Sequence, residues 1–229
     1  MSARDDAARE APFGGPYADP SGTPERRLRA VLGEARERAL LGSPPITDQI
    51  RHSEAFGSLL TSEPVAGPVL DLGSGGGLPG LVLAVCHPEL EFVLLDSTLK
   101  RTRYLSWAVE QLDLADSVHV VTVRAEDAGH EYGFRGRFAA VLSRSFGRPA
   151  VAAECAAPFL LVGGRLIVSE PPVEPCGDGR WPEAGCGLVG LRPERSVSDP
   201  FHFVVLRQTI ECGERFARRA GIPAKRPLF

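Results

Sequence analysis

One segment limits the fold more than any other: Pro68-Val-Leu-Asp-Leu-Gly-Ser-Gly-Gly-Gly-Leu-Pro-Gly80. An apolar run closes on an acid, a glycine-rich turn follows, and Leu81-Val-Leu-Ala-Val85 resumes as an apolar, helix-like stretch. Residues without a β-carbon let the main chain turn sharply and approach a bound molecule closely. Strand, cradle and helix in that order form the opening unit of an open α/β sheet. The ligand then lies at the carboxyl end of the strand, near residue 71.

The rest of the chain alternates in the same way. Val69 to Leu72 reads as a strand, Leu78 to Cys86 as a helix ending before Pro88, and Glu91 to Leu95 as a second strand closed by Asp96. Thr98 to Leu112 carries Leu105, Ala108 and Leu112 at helical spacing, with Lys100, Arg101 and Arg103 near its start. Val118 to Val123 and Phe138 to Leu142 read as strands, Pro149 to Leu161 as a helix, and Arg165 to Ser169 as a fifth strand after Gly163-Gly164. Residues 171 to 187 are expected to be a loop, followed by an antiparallel pair, Gly187 to Val197 and Phe201 to Arg207. This succession predicts a doubly wound, mostly parallel sheet of seven strands with helices on both faces.

Ahead of it, Leu28, Val31, Leu32, Ala35 and Ala39 recur at three- and four-residue spacing between Pro24 and Leu41. A second helix is expected after Pro44-Pro45, with Ile46, Ile50, Leu59 and Leu60 inward, so the core should carry an N-terminal helical cap over residues 24–62. Residues 1–23 offer too little apolar surface to offset the entropy of ordering and are expected to be a disordered extension. The expected domain is therefore 24–229, ending in a basic tail, 213–229, where Arg215, Arg218, Arg219, Lys225 and Arg226 face one acid, Glu214.

With 229 residues, 43% of them hydrophobic, the chain supports one sizeable core. A net charge of −3 provides no global attraction to nucleic acid, so an RNA partner must be met by local basic patches. Cys86, Cys155, Cys176, Cys186 and Cys212 are odd in number and widely spaced without Cys-x-x-Cys, which argues for reduced thiols in a cytoplasmic protein and against a zinc site. No apolar run approaches the ~20 residues of a bilayer span. No metal and no membrane association are expected, and the chain is expected to act as a monomer.

The glycine turn accommodates two ligand classes. Gly75, Gly77 and Gly80 satisfy the Gly-x-Gly-x-x-Gly of dinucleotide sites, where a pyrophosphate rests on a helix N-terminus. Asp71, two residues before Gly73, suits a cation better than a pyrophosphate. S-adenosylmethionine (SAM) carries an ammonium and a sulfonium, and Asp-x-Gly-x-Gly-x-Gly is the form the loop takes in SAM-dependent methyltransferases. A turn with no ligand is the plain structural alternative. Asp96, ending the second strand, can accept from both ribose hydroxyls of an adenosine, in SAM or NAD alike, or can serve as an acid at a helix N-terminus. Ala125-Glu126-Asp127 follows the third strand, where an adenine edge or a plain acidic loop would lie. Arg124 and Arg144 sit at strand ends, where each reads either as a surface ion pair or as a bidentate anchor for a phosphate or carboxylate. His52, His119 and His202 have no motif around them that marks a catalytic base.

Taken together, Asp71-Leu-Gly-Ser-Gly-Gly-Gly-Leu-Pro-Gly80, Leu94-Leu-Asp-Ser97 with Lys100-Arg101, Arg124-Ala-Glu-Asp127 and Ser143-Arg-Ser-Phe146 resemble the bacterial 16S rRNA guanine-N7 methyltransferases, the glucose-inhibited division protein B family. Ile50-Arg-His52 and the ending Arg218-Arg-Ala-Gly-Ile-Pro-Ala-Lys-Arg-Pro-Leu228 extend the resemblance from about residue 46 onward. It implies a Rossmann-like SAM methyltransferase fold, with SAM contacts at Gly73, Leu78, Ala125, Glu126 and Arg144. Arg124 and Arg144 then shape the acceptor pocket, and 16S rRNA or the small ribosomal subunit is the partner. On this reading Asp71, Gly75 and Gly77 hold the methionine part of the donor and Asp96 its ribose. Three basic groups are expected to meet RNA phosphates: Arg26-Arg27-Arg29, Lys100-Arg101-Arg103 and the Arg218 to Arg226 tail. The alternatives are a SAM-dependent methyltransferase of another RNA or a small molecule, and a noncatalytic SAM- or NAD-binding regulator. The departures lie on the acceptor side. Glu170-Pro-Pro172 stands where the family has Lys-Gly, and Phe201 precedes His202 where it has arginine. Glu170 is positioned to stabilise the positive charge that N7 methylation creates.

Overall fold

The computed structural model describes residues 22–172 and 179–229. Two helices come first, α1 (Pro24–Glu37) and α2 (Ile46–Leu60). Thr23 caps α1, its hydroxyl accepting from the Arg26 N–H, and Pro24 opens the helix where a missing N–H costs nothing. The sheet follows as β1 (Val69–Leu72), β2 (Phe92–Asp96), β3 (Val118–Thr122), β4 (Phe138–Ser143), β5 (Leu160–Ser169), β6 (Leu191–Val197) and β7 (Phe203–Gln208). Between strands run α3 (Gly80–Cys86), α4 (Leu99–Gln111), α5 (Ala125–Ala128), α6 (Pro149–Ala156) and α7 (Glu183–Gly187), and α8 (Ile222–Lys225) comes last.

The strand order is β3-β2-β1-β4-β5-β7-β6, a seven-stranded sheet. β1 to β5 are parallel, and β7 pairs antiparallel with both β5 and β6. The chain winds outward from β1 to β2 and β3, then returns to β4 on the other side. This reversal opens a crevice beyond the carboxyl ends of β1 and β4, where open α/β sheets bind their ligands. Asp71 stands beside Leu94 and Leu142 at this point.

One apolar cluster packs α1, α2, α3 and α4 on one face of the sheet, centred on Leu32, Phe56, Leu81, Tyr104 and Ile167. The other packs α5, α6 and α7 against the opposite face through Leu70, Ala153, Phe159, Leu166 and Trp181. The cap is bound by polar contacts as well. Arg165 of β5, only 4% exposed, donates to the main-chain oxygens of Leu59 (3.1 Å) and Leu60 (2.6 Å). Those carbonyls lie in the last turn of α2 and have no partner within the helix. The Tyr104 hydroxyl of α4 donates to Val31 O within α1 (3.0 Å).

Four expectations change. The first helix, expected from its apolar spacing to run through Ala39 to Leu41, ends at Glu37, and Ala39 is exposed in a left-handed turn (φ +55°). The helix expected to run to Leu161 ends at Ala156, because Pro158 forces a 3₁₀ turn, Ala157–Phe159. Leu160 and Leu161 therefore belong to β5, and the strand begins before Gly163-Gly164, not after it. The pairing moves from Phe138 with Leu160 to Ala140 with Arg165, so the glycines lie in an irregularity of the strand. The region expected to be a loop, 171–187, contains α7. Residues 173–178, with Cys176, and residues 1–21 of the expected extension lie outside the described residues. Cys86, Cys155, Cys186 and Cys212 are free thiols.

Candidate active site

The glycine-rich loop leaves β1 and is fixed to the end of β2. Gly73 N and Ser74 N both donate to Leu95 O (2.8 and 3.0 Å), and Gly75 N donates to Asp96 Oδ2 (3.1 Å). Gly73 (φ +75°) must be glycine on two counts: the left-handed backbone, and a β-carbon that would lie 2.6 Å from the Phe146 ring. Gly77 (φ +89°) is similarly closed in by Leu81.

Asp71 lies under this loop and does not face the crevice. It is 1% exposed, and its Oδ2 accepts from Gly80 N at the start of α3 (3.0 Å). Burial pushes the carboxyl up to about 7, against the opposing pull of the Gly80 N–H, the Ser74 hydroxyl and the Arg144 charge. Asp96 is also buried but reaches the cavity surface. Its Oδ1 accepts from Thr98 N (2.8 Å), and its Oδ2 from Gly75 N and Arg101 Nη1 (3.3 Å).

The crevice has two lobes that share Gly73, Arg101 and Ser145. One, about 370 Å³, is lined by Ser74, Gly75, Gly76, Leu78, Arg144 and Gln49, and is roofed by Leu40, Leu41, Gly42 and Pro44 from the α1–α2 connection. The other, about 290 Å³, is lined by Asp96, Ser97, Arg124, Ala125, Glu126 and Phe146, and is closed by Gly221 and Ala224 of the C-terminal segment. A long, two-part molecule with a polar middle fits this shape. An acceptor carboxylate (Asp96) faces one lobe, and a cation (Arg144) faces the other.

Arg144 follows β4 and donates to Gln49 Oε1 of α2 (3.3 Å); burial lowers its pKa, while the Asp71 charge acts against this. Arg124 precedes α5 and ion-pairs with Glu126 (3.1 Å), which raises its pKa. Glu126 Oε1 also accepts from Gly221 N (2.9 Å). His52 of α2 lies among Phe56, Phe201 and Phe203 (ring centroids 5.5, 4.9 and 5.3 Å) with Nε2 3.0 Å from Ser169 Oγ. Burial and the Arg144 charge hold it at about 4, so it is neutral at physiological pH.

The crevice brings together Gly73, Gly75, Leu78, Asp96, Ala125, Glu126, Arg124 and Arg144, all expected from the sequence. Asp71 and Gly77 line neither lobe and act on it through the loop. Gln49, Ser145, Phe146, Gly221, Ala224, Leu40, Leu41, Gly42 and Pro44 are additional to that reading. Of these, Ser145 and Phe146 carried a signal in the Ser143-Arg-Ser-Phe146 motif, and Gly221 and Ala224 in the Arg218 to Leu228 ending.

The expected RNA contacts are partly committed within the protein. Arg218 makes a bidentate pair with Glu154 (2.7 and 2.6 Å), whose side chain is fully buried. Arg27 pairs with Asp113, Arg29 with Glu25, and Arg101 with Asp96. Lys100, Arg219, Lys225 and Arg226 remain exposed. Glu170 is covered, with its side chain 3% exposed and ion-paired to Arg180. Its charge is thus already balanced, which removes the basis for expecting it to stabilise a methylated base. Among the described residues no group of three or more His, Cys, Asp or Glu could hold a metal ion, and no helix is long and apolar enough to cross a membrane.

The chain matches the family model described as rRNA small subunit methyltransferase G over residues 46–170. The ribosomal RNA small subunit methyltransferase G of Rubrobacter xylanophilus is 35% identical over 210 residues, covering 86% of this chain and 80% of that one. Its counterpart in Streptococcus pyogenes is 32% identical over 176 residues, covering 75% and 73%. Among solved structures, a methyltransferase from Geobacter sulfurreducens aligns with a TM-score of 0.57 at 15% identity, over 83% of this chain and 91% of that one. The geranyl diphosphate C-methyltransferase of Streptomyces coelicolor, solved with S-adenosyl-L-homocysteine, aligns with a TM-score of 0.50 at 14% identity, over 75% and 88%. At such identities these structures speak for the fold alone.

Proposed function

Because the chain belongs to the rRNA small subunit methyltransferase G family, we propose that it is a SAM-dependent enzyme that methylates guanine N7 of 16S rRNA, as a cytoplasmic monomer. The observation that carries the reading is the two-lobed crevice at the β1/β4 reversal. Its lobes, joined at Gly73, Arg101 and Ser145, match a nucleoside joined to an amino acid. Asp96 would take the ribose hydroxyls, Ala125 and Glu126 the adenine side, and Gly73, Gly75, Leu78 and Arg144 the methionine side. Asp71 and Gly77 position the loop, and Asp71 adds a carboxyl beneath a cationic donor. SAM, when bound, supplies an electrophilic methyl group on a sulfonium.

Guanine N7 has an in-plane lone pair and no proton to lose, so the site needs no general base. His52, packed among phenylalanines, lines neither lobe of the crevice and is not placed to serve as one. The work left for the protein is alignment and exclusion of water. Leu40, Leu41 and Pro44 cover the methionine lobe, and Arg144 and Arg124, at two strand ends, shape the entrance for the base and its phosphates.

The test is mass spectrometry of 7-methylguanosine in small subunits and naked 16S rRNA from a strain lacking this modification, after incubation with the enzyme and SAM. A site-specific increase supports the reading, and no increase with intact SAM binding refutes the acceptor assignment. The paired Glu170 and the phenylalanine at 201, standing where the family has cations, favour a second reading: the same donor chemistry on another RNA or a small molecule. Labelled methyl transfer to total RNA and to a small-molecule extract separates the two.

A further inference from the structure

The C-terminal segment has two sides with different chemistry. The inner side closes the nucleoside lobe of the crevice through Gly221 and Ala224, and Gly221 N is bonded to Glu126. The outer side exposes Arg219, Lys225 and Arg226, with no acid among residues 215–229 to offset them. Between the two, Arg218 fastens the segment. It grips buried Glu154 with its guanidinium and main-chain N–H (2.9 Å), and donates from Nη2 to Arg226 O (2.7 Å).

α8 is one turn long and too short to hold its shape alone, so the position of residues 219–226 depends on what they touch. Arg219, Lys225 and Arg226 together give the segment an exposed cationic face that a polyanion can bridge. A ligand in the lobe and a polyanion on the outer surface therefore both favour the docked segment over any displaced arrangement. Two ligands that favour the same state must strengthen each other by the same factor.

We propose that the C-terminal segment couples the two substrates: RNA phosphates on Arg219, Lys225 and Arg226 hold Gly221 and Ala224 against the donor, so that each substrate tightens binding of the other. The inference rests on reading the crevice as the SAM site. It gives the basic tail a role beyond simple attraction, since the donor is retained best once RNA is engaged.

Equilibrium dialysis of labelled S-adenosylhomocysteine, an unreactive form of the donor, tests it with and without saturating unmethylated small subunits or 16S rRNA transcript. The expected result is a fall in Kd of about fivefold or more, with RNA affinity rising by the same factor when S-adenosylhomocysteine is present. A variant combining R219Q, K225Q and R226Q alters only exposed side chains. It should bind S-adenosylhomocysteine alone as the unmodified protein does, yet show no tightening at RNA saturation. The proposal is overturned if RNA does not bind, if RNA leaves donor affinity unchanged, or if the variant keeps the full coupling. Failure of the unmodified protein to bind S-adenosylhomocysteine at all would instead overturn the assignment of the crevice itself.

Discussion

Replacing Asp71 with asparagine should have opposite effects on stability in mild acid and in mild base. The carboxyl is buried under the glycine loop, and burial moves it from 3.8 to about 7. At about 1.4 kcal/mol per pH unit, its charged form is disfavoured in the folded protein by about 4 kcal/mol relative to the unfolded chain. Because the folded pKa lies above the unfolded one, the folded state binds the extra proton between pH 3.8 and about 7. Stability from this group is fully present below that window and is lost as pH rises through about 7. An asparagine there cannot ionise and keeps an oxygen for the Gly80 N–H, but it buries an amide NH₂ that costs about 1 to 3 kcal/mol if unpaired. D71N is therefore expected to be less stable than the unmodified protein at about pH 4 and more stable at about pH 8.5. Urea denaturation without SAM, repeated across that range, measures the difference. Its slope between about pH 5 and 7 should approach about 1 kcal/mol per pH unit, in the direction of relative stabilisation of D71N as pH rises. Parallel stability profiles for the two proteins would refute the argument. At about pH 8.5, where the carboxyl is charged, the same variant should bind SAM about tenfold more weakly, because a neutral amide replaces a carboxylate beneath the loop proposed to hold the cationic donor.

Three further substitutions probe other parts of the site. R218A leaves the fully buried Glu154 carboxylate without its partner, so it should lower stability by about 3 kcal/mol in denaturant titrations and weaken donor binding through Gly221. The R218A/E154A pair should lose less than the sum of the single variants, and strict additivity would count against a coupled ion pair. G77A requires a β-carbon at φ +89° with Leu81 Cγ 2.8 Å away, which should cost about 2 kcal/mol and abolish SAM binding in calorimetry, although Gly77 does not line the crevice. D96A removes the acceptor for Gly75 N and Thr98 N together with the proposed ribose contacts. Its SAM affinity should fall by about thirtyfold, equivalent to about 2 kcal/mol, and an unchanged Kd would exclude Asp96 from the donor site.

The parallel half of the sheet was legible because each strand is a compact run of Val, Leu and Phe that ends in a polar residue or a turn. Two residues of the crevice wall were legible for the same reason: Asp96 ends a strand and Arg124 follows one, and both strands can be read directly. Three kinds of feature left no readable signal in the sequence. Helices of four or five residues, such as α5, α7 and α8, are too short to display a periodicity. The start of β5 was hidden because Gly163-Gly164 reads as a boundary, whereas the sheet accommodates the pair as an irregularity. A site residue brought in from a distant part of the chain left no local trace, as with Gln49. Arg218 illustrates the limit of counting charges. In the sequence it is one more cation in a basic tail, and only the fold reveals the buried Glu154 opposite it.

The grip of Arg165 on the last carbonyls of α2 has a consequence for protein engineering. A helical cap that met the sheet through side chains alone could be exchanged for another with the right apolar stripe. Here a strand in the middle of the sheet terminates the cap's second helix, and Gln49 of that helix reaches Arg144 in the crevice. A graft intended to change what the enzyme admits would therefore have to carry residues 46–60, Arg144 and Arg165 together as one transplantable unit, although about a hundred positions separate them in the chain.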